Sequence, residues 1–423
     1  MAKSSLPLIR PLLPYLPLLP TPVLTLPAAL ALHFTTHPSP TFHTFLQSPT
    51  THPIHIPLLL TLGLMTVLYP LGVVSGNVSW VDRIWTTYPV LCSGLVVLWG
   101  RFNETGAAYG HNLPRLGVML LLQVIWSARL TYHTLRRGLY DLTSEDYRYT
   151  AMRKIVPGWF FQLVHFFAVA LAQPLLLFAL SLPLQSLLLL PPSELSRGPL
   201  AFLSLNYSSI TPLLPARFAT AAPDTPVLNI YDLLLFISGL TLIAIEQAAD
   251  NQMYDFQTAK HAIMETESKS KSAPQKKSTK SNLPQPVTYP EAFHPGFPTK
   301  GLFSISRHAN YACEQLFWFN QALFVVVASR SASDVSKSGW VGGGLGGILG
   351  PALALSLLFC GSTTLTEWIT TRKYPLYKQY SQLVGQFLPN ETAIKYLWTT
   401  IRGTRAGLTQ QLHSKTQHKN TNQ

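Results

Sequence analysis

Seven runs of mostly apolar residues dominate this chain, at about 57–76, 84–100, 114–136, 159–181, 228–249, 311–329 and 347–368. Each is close to the ~20 residues that a helix needs to cross the hydrocarbon core of a bilayer. Lipid offers no partner to a backbone N–H or C=O, so runs of this kind are restricted to helices. The expected fold class is all-α, a polytopic membrane helix bundle of about seven transmembrane helices. Composition agrees: only 12% of the 423 residues are charged, against the ~25% usual in soluble domains.

The distribution of cations tests the count of seven. Assigning the loops alternately to two sides places 22 Lys/Arg on one side and 8 on the other, and an even number of spans would scramble this asymmetry. By the positive-inside rule the basic side, which includes the C-terminus, faces the cytosol. The net charge of +13 is thus accounted for by loops, and no nucleic-acid partner is implied. On this topology the sequons at Asn103 and Asn206 fall on the lumenal side. The three cysteines, Cys92, Cys313 and Cys360, lie in or beside apolar runs without metal-ligand spacing, so they read as small hydrophobes and no metal site is expected.

Three segments frame the bundle. Residues 1–56 are apolar but carry a proline every third or fourth residue early on, which argues against a regular helix. An irregular or interfacial segment is expected there, followed by a membrane domain over 57–395. Residues 265–290, rich in Ser, Lys and Pro, cannot bury enough surface to offset ordering and read as a disordered cytosolic insertion. A polar basic tail is expected over 396–423.

Ionisable groups inside or at the ends of spans are costly and usually face the protein interior. Four clusters occur. In "RHANYACEQ", Arg307, Asn310, Tyr311 and Glu314 share one helical face at i, i+3, i+4 and i+7. A guanidinium there suits phosphate, and the amide and carboxylate suit a carboxamide or a ribose; an internal Arg307–Glu314 ion pair is the structural alternative. "IEQAADNQMYDFQ" sets Glu246, Asp250 and Gln257 on one face, with a solvated helix end as the alternative. "TEWITTRKYPLYKQY" carries Glu367, Arg372, Tyr374, Tyr377 and Tyr380, where ordinary interfacial anchoring is the alternative. The third span carries Arg129 and His133 in "WSARLTYHTLRRG", and Asp82 of "WVDRIW" is a candidate partner for Arg129. All four clusters fall on the cytosolic side, so a shared polar pocket open to the cytosol is expected.

"GLFSISRHANYACEQ" followed by "TEWITTRKYPLYKQY" resembles the C-terminal part of the steroid 5α-reductase-like membrane superfamily. "VDRIW", "ARLTYHTLRRG", "EDYRY" and "ADNQMYDFQ" narrow the resemblance to the family called domain of unknown function 1295, over roughly residues 60–395. Ala309 stands where the family prefers proline, which removes a constraint on His308. The resemblance implies an enzyme with NADPH in a cytosol-facing pocket, reducing a C=C bond conjugated to a carbonyl in a sterol-like or long-chain lipid substrate. It places Asn310 and Glu314 at the nicotinamide. It places Asp250, Gln257, Arg307, Tyr311, Glu367, Arg372 and Tyr377 along the adenosine and phosphates. No motif fixes the proton donor; Asp82 and Tyr132 are the candidates.

Two other readings stay open. Isoprenylcysteine carboxyl methyltransferases share the Arg-His opening and a Glu…Tyr-x-x-Tyr ending, which here would be Glu367…Tyr377-x-x-Tyr380, so an S-adenosylmethionine-dependent methyltransferase is the rival enzyme. A non-catalytic lipid or sterol binder on the same fold is the other. The endoplasmic reticulum is the expected membrane, and the sequence leaves oligomeric state open.

Overall fold

A computed structural model describes residues 21–190, 205–206, 226–270, 284–328 and 345–414. In chain order the helices are α1 (Thr21–Thr36), α2 (Phe42–Gln47), α3 (His55–Ser75), α4 (Trp80–Ile84), α5 (Tyr88–Phe102), α6 (Leu113–Arg136), α7 (Tyr147–Ile155) and α8 (Gly158–Leu163). A π-helix, Val164–Ala172, leads into α9 (Gln173–Ala179) and α10 (Leu182–Leu188). There follow α11 (Ile230–Ser270), α12 (Ala309–Ala328), α13 (Leu345–Lys373), α14 (Tyr377–Leu383), α15 (Pro389–Ile401) and α16 (Arg405–His413). Short strands β1 (Leu205–Asn206) and β2 (Pro226–Leu228) pair antiparallel. The chain is a polytopic helical membrane protein.

Among the described residues, five helical segments are long and apolar enough to cross a membrane: His55–Ser75, Ala108–Arg136, Gly158–Leu188, Ile230–Glu267 and Ile348–Lys373. The other two expected spans are helical but fall short of that standard. α5 has 15 residues, about 22 Å at ~1.5 Å per residue, against a core of ~30 Å. α12 has 20 residues, but Asn310, Glu314, Gln315, Asn320 and Gln321 dilute its apolar character.

The flanking segments depart from expectation. α1 is helical where an irregular course is expected; Pro22 falls in its first turn, where the missing N–H has no intrahelical role, and one ladder bond is lost at Pro27. Within the segment read as a polar tail, residues 396–401 complete α15 and Arg405–His413 form α16, with a turn between them. Of the insertion read over 265–290, residues 265–270 continue α11 and 271–283 lie outside the described residues, as do 1–20 and 415–423.

The helices belong to two compact units. The first comprises Met1–Ser144, Leu163–Leu240 and Trp318–Leu355; the second comprises Glu145–Gln162, Thr241–Phe317 and Ser356–Gln423. In the first, Trp126 of α6 meets Trp318 of α12 edge to face, ring centroids 5.0 Å apart, both fully buried. The Asn320 amide donates to the Leu235 carbonyl at 3.0 Å. Asn103, one of the two sequons read as lumenal, is buried and donates to the carbonyls of Leu46 and Ser48, each at 2.8 Å. That amide serves the fold and is not available for modification.

The strongest polar link of this unit joins α6 to the start of α11. Arg115 donates through Nε and Nη2 to the two carboxylate oxygens of Asp232, at 2.6 and 2.7 Å, with both side chains almost fully buried. Asp232 also accepts from the Asn229 backbone N–H at 2.8 Å. Asn229 in turn caps α11, its side-chain oxygen accepting from the N–H groups of Tyr231 and Asp232. Removing one partner of a buried pair strands the other charge, at a cost of about 3–5 kcal/mol, whereas replacing both with apolar groups is near neutral. Arg115→Met is therefore expected to lower the unfolding temperature sharply in detergent, and Arg115→Met/Asp232→Leu to recover most of the loss.

Candidate functional site

The second unit gathers three of the four polar clusters, which are some 60 residues apart in sequence. The nucleus is Glu367, near the end of α13. Arg307 grips it with both edges of its guanidinium, Nε to Oε1 at 2.8 Å and Nη2 to Oε2 at 3.0 Å. His308 Nε2 lies 2.9 Å from the same Oε1, and the Tyr377 hydroxyl donates to it at 3.2 Å. Burial pushes the phenols of Tyr377 and Tyr380 well above their ordinary range, and the neighbouring Glu367 carboxylate pushes in the same direction. Both are therefore neutral donors. For Arg307, burial opposes the charge, but the hydrogen bonds and charge of Glu367 outweigh it and hold the pKa above the ordinary value.

Arg307 has a second task. Its Nη1 donates to the carbonyls of Ser381, at 3.1 Å, and Val384. These sit at the C-terminal end of α14, where carbonyls lack intrahelical partners. Lys395 donates to the same two carbonyls, at 2.6 and 3.0 Å. Two cations thus cap one helix end, which also suits its dipole. Four of the five N–H donors of Arg307 are engaged inside the protein.

The turn that carries Arg307 and His308 is fixed by backbone pairing. The Arg307 N–H donates to Gly385 O at 2.9 Å and the His308 N–H to Gln386 O at 3.0 Å. This pairing replaces the constraint that a proline at 309 would impose, and α12 begins at Ala309. Residues 385–388 are in turn held by Glu391, whose carboxylate accepts from the N–H groups of Gln386, Phe387 and Leu388 at 2.7, 3.2 and 3.0 Å. The Thr392 hydroxyl accepts from Gly385 N–H at 2.7 Å and donates to Ile305 O at 2.6 Å. A Cβ on Gly385 would lie 2.4 Å from that of Glu391, so only glycine fits. At the other end of the motif, Gly301 adopts φ +61° and lies against Gln252, whose Oε1 accepts from Leu302 N–H at 3.0 Å.

The other sequence-marked residues fall around this frame. The Asn310 amide donates to Asp250 Oδ1 at 3.0 Å, joining α12 to α11, and Asp250 and Glu314 are both buried. Tyr311 stacks on His308, planes 9° apart, and meets Phe359 at 4.9 Å. Gln257 turns to its own helix, its amide 3.7 Å from the Met253 sulfur. Arg372 is exposed and lies over the Trp368 ring at 4.4 Å. Arg307 pairs with Glu367, not with the Glu314 considered as its partner in the sequence. Asp82 and Tyr132 belong to the first unit. Asp82 is half-buried in α4. Tyr132 is 58% exposed on α6, with the Arg136 guanidinium 5.4 Å from its ring.

The clamp of Gly385, Glu391, Thr392 and Lys395 was not singled out by sequence reading. Its signal is "LPNET", with proline at the first helical position and glutamate at the third, an N-terminus pattern.

With that geometry established, comparison with known proteins locates the chain. A family model described as "Protein of unknown function (DUF1295)" matches residues 68–195 and 201–384. An uncharacterized protein of the fission yeast Schizosaccharomyces pombe is 31% identical over 342 residues, 80% of each chain. No solved structure matches.

The clamp has a pH signature. Burial works against the charge of Glu391, but the three backbone donors overcome it and lower the pKa from the ordinary 4.5. A depressed carboxyl adds stability above the unfolded value and loses it as pH falls. The protein is expected to lose stability as pH drops below 4.5. Glu391→Gln should be less stable at pH 7 and show a shallower acid loss, read by thermal unfolding in detergent between pH 3 and pH 7.

Proposed function

For a chain that belongs to the DUF1295 family, within the steroid 5α-reductase-like membrane superfamily, we propose a membrane-embedded, NADPH-dependent reductase. Its substrate is a lipophilic molecule, sterol-like or long-chain, with a C=C bond conjugated to a carbonyl. The observation that carries this reading is the Asn310–Asp250 bond. It brings the two most reductase-like motifs, "RHANYACEQ" and "ADNQMYDFQ", side by side within one unit, with Glu314 one helical turn further along the Asn310 face.

The donor set fits a dinucleotide. With an amide N–H committed to Asp250, Asn310 retains its carbonyl oxygen as an acceptor for a carboxamide N–H. Glu314 offers a second acceptor at helical spacing i, i+4. Tyr311, stacked on His308, offers a flat face for a ring. Arg372, exposed on Trp368, is the cation proposed for the phosphates. Arg307 is proposed to act on the cofactor by fixing Glu367 and Tyr377, with a single N–H donor left for a phosphate oxygen. Gln257 is proposed at the adenosine end.

When bound, NADPH supplies a hydride to the β-carbon of the conjugated system. The electron pair of the C=C bond then moves toward the carbonyl oxygen, and a proton is required at the α-carbon. Asp82 and Tyr132 are the candidates that the sequence offers for that proton. The site is proposed to face the cytosol from the endoplasmic reticulum membrane.

Losing one hydrogen bond while its buried partner stays unsatisfied costs about 1–3 kcal/mol, a factor of roughly 5–150 in affinity. In titrations of the full chain in nanodiscs, followed by nicotinamide fluorescence, Asn310→Ala and Glu314→Gln are each expected to weaken NADPH binding by at least about fivefold. Asn310→Ala also takes a donor from the buried Asp250, so its unfolding temperature should fall by a few degrees while the chain stays folded at the temperature of the titration. Arg372→Gln is expected to weaken NADPH more than NADH. Binding of S-adenosylmethionine with no binding of NADPH would overturn the reading in favour of a methyltransferase. Binding of neither by a folded chain would assign a lipid binder.

A further inference from the structure

α15 presents two unlike faces. Its inner face works for the protein: Glu391, Thr392 and Lys395 hold the 381–388 segment and Thr399 is buried. Its outer face is apolar and bare. Ile394, Leu397, Trp398 and Ile401, at i, i+3, i+4 and i+7, are 64%, 61%, 54% and 79% exposed. Four large apolar side chains in one row form a contiguous patch, which isolated exposed residues do not.

The residues around the patch name what covers it. Arg402 lies over the Trp398 ring at 4.1 Å and Arg405 over Tyr396 at 3.9 Å. Trp and Tyr flanked by cations with flexible apolar stems are the side chains that settle at the level of lipid headgroups. After Glu391 the chain contains no Asp or Glu, while Lys395, Arg402, Arg405, Lys415 and Lys419 follow. A second apolar protein surface would satisfy the row of Ile, Leu and Trp but not this one-signed border. A leaflet carrying anionic lipid satisfies both.

We propose that α15 is an interfacial helix. Ile394, Leu397, Trp398 and Ile401 are inserted among the acyl chains just below the headgroups, and Arg402 and Arg405 pair with anionic headgroups. The site lies beyond residue 384, where the family match ends, and the inference does not depend on the reductase reading. Because the inner face of the same helix anchors the turn bearing Arg307 and His308, that turn is held at a fixed depth relative to the membrane surface.

The test uses the full chain in nanodiscs. Cys92 and Cys313 are buried and Cys360 is exposed, so Cys360→Ser provides a background for labelling. An environment-sensitive fluorophore is placed on Ile401→Cys, and on Thr400→Cys as a control off the apolar row. In discs of phosphatidylcholine with phosphatidylserine, the probe at 401 is expected to emit well to the blue of the probe at 400. Arg402→Glu/Arg405→Glu is expected to abolish that blue shift, and so are discs of phosphatidylcholine alone. Unchanged unfolding temperatures would show that the variants remain folded. Equal, water-like emission at both positions in anionic discs would overturn the proposal. A blue shift at 401 that is the same in both lipids and unaffected by the charge reversal would overturn the anionic assignment. A shift that appears only when two copies share a disc would assign the face to a second copy and overturn it as well. Ile401→Ser, carrying the probe on Leu397→Cys, provides an independent apolar variant whose blue shift should shrink.

Discussion

The carboxylate of Glu367 is the point on which the second unit is organised. A partly buried carboxylate near the end of a long apolar helix is costly unless its lone pairs are filled. Here a guanidinium takes both oxygens, and an imidazole and a phenol converge on one of them. The cations then extend the order outward. Arg307 and Lys395 cap the end of α14, and Gly385 and Gln386 pair with the backbone of the Arg307–His308 turn. Four segments scattered over 85 residues of sequence, from Arg307 to Glu391, are joined this way. The aromatic cluster of Phe297, Tyr377 and Tyr380 packs beside the network, with the Tyr380 hydroxyl donating to Phe303 O.

Much of this was legible in the residues. Apolar run length and the restriction of lipid-exposed backbone to helices foretold the helical membrane class, and five runs met the length and apolarity needed. The two that did not, 84–100 and 311–329, have different causes. The first begins late: residues 85–87 form a turn after α4, so α5 starts only at Tyr88. The second trades apolar length for the polar face that makes it interesting. The helical spacing of Asn310, Tyr311 and Glu314 located the polar face of α12, whereas Arg307, read as part of that face, stands in the turn before the helix; the separate clusters around Asp250 and Glu367 do join these residues.

What could not be read was which group meets which. Helical spacing suggested Glu314 as a partner for Arg307; the bidentate partner is Glu367, 60 residues away, and pairing at that distance leaves no periodic trace. The clamp by Glu391 and Lys395 was overlooked for a related reason. Its residues lie just before the stretch that reads as a basic tail, and their importance comes from backbone groups they touch rather than from their own pattern.

The commitment of Arg307 has an evolutionary consequence. A guanidinium whose donors are almost all engaged within the protein is selected by the fold, since its loss would strand a partly buried carboxylate and uncap a helix. The Arg-His signature is therefore expected to persist in descendants that have abandoned chemistry altogether. It is a mark of ancestry and architecture. Asn310 and Arg372, which the frame does not require in the same way, are the positions at which lineages that keep a ligand and lineages that lose it would diverge.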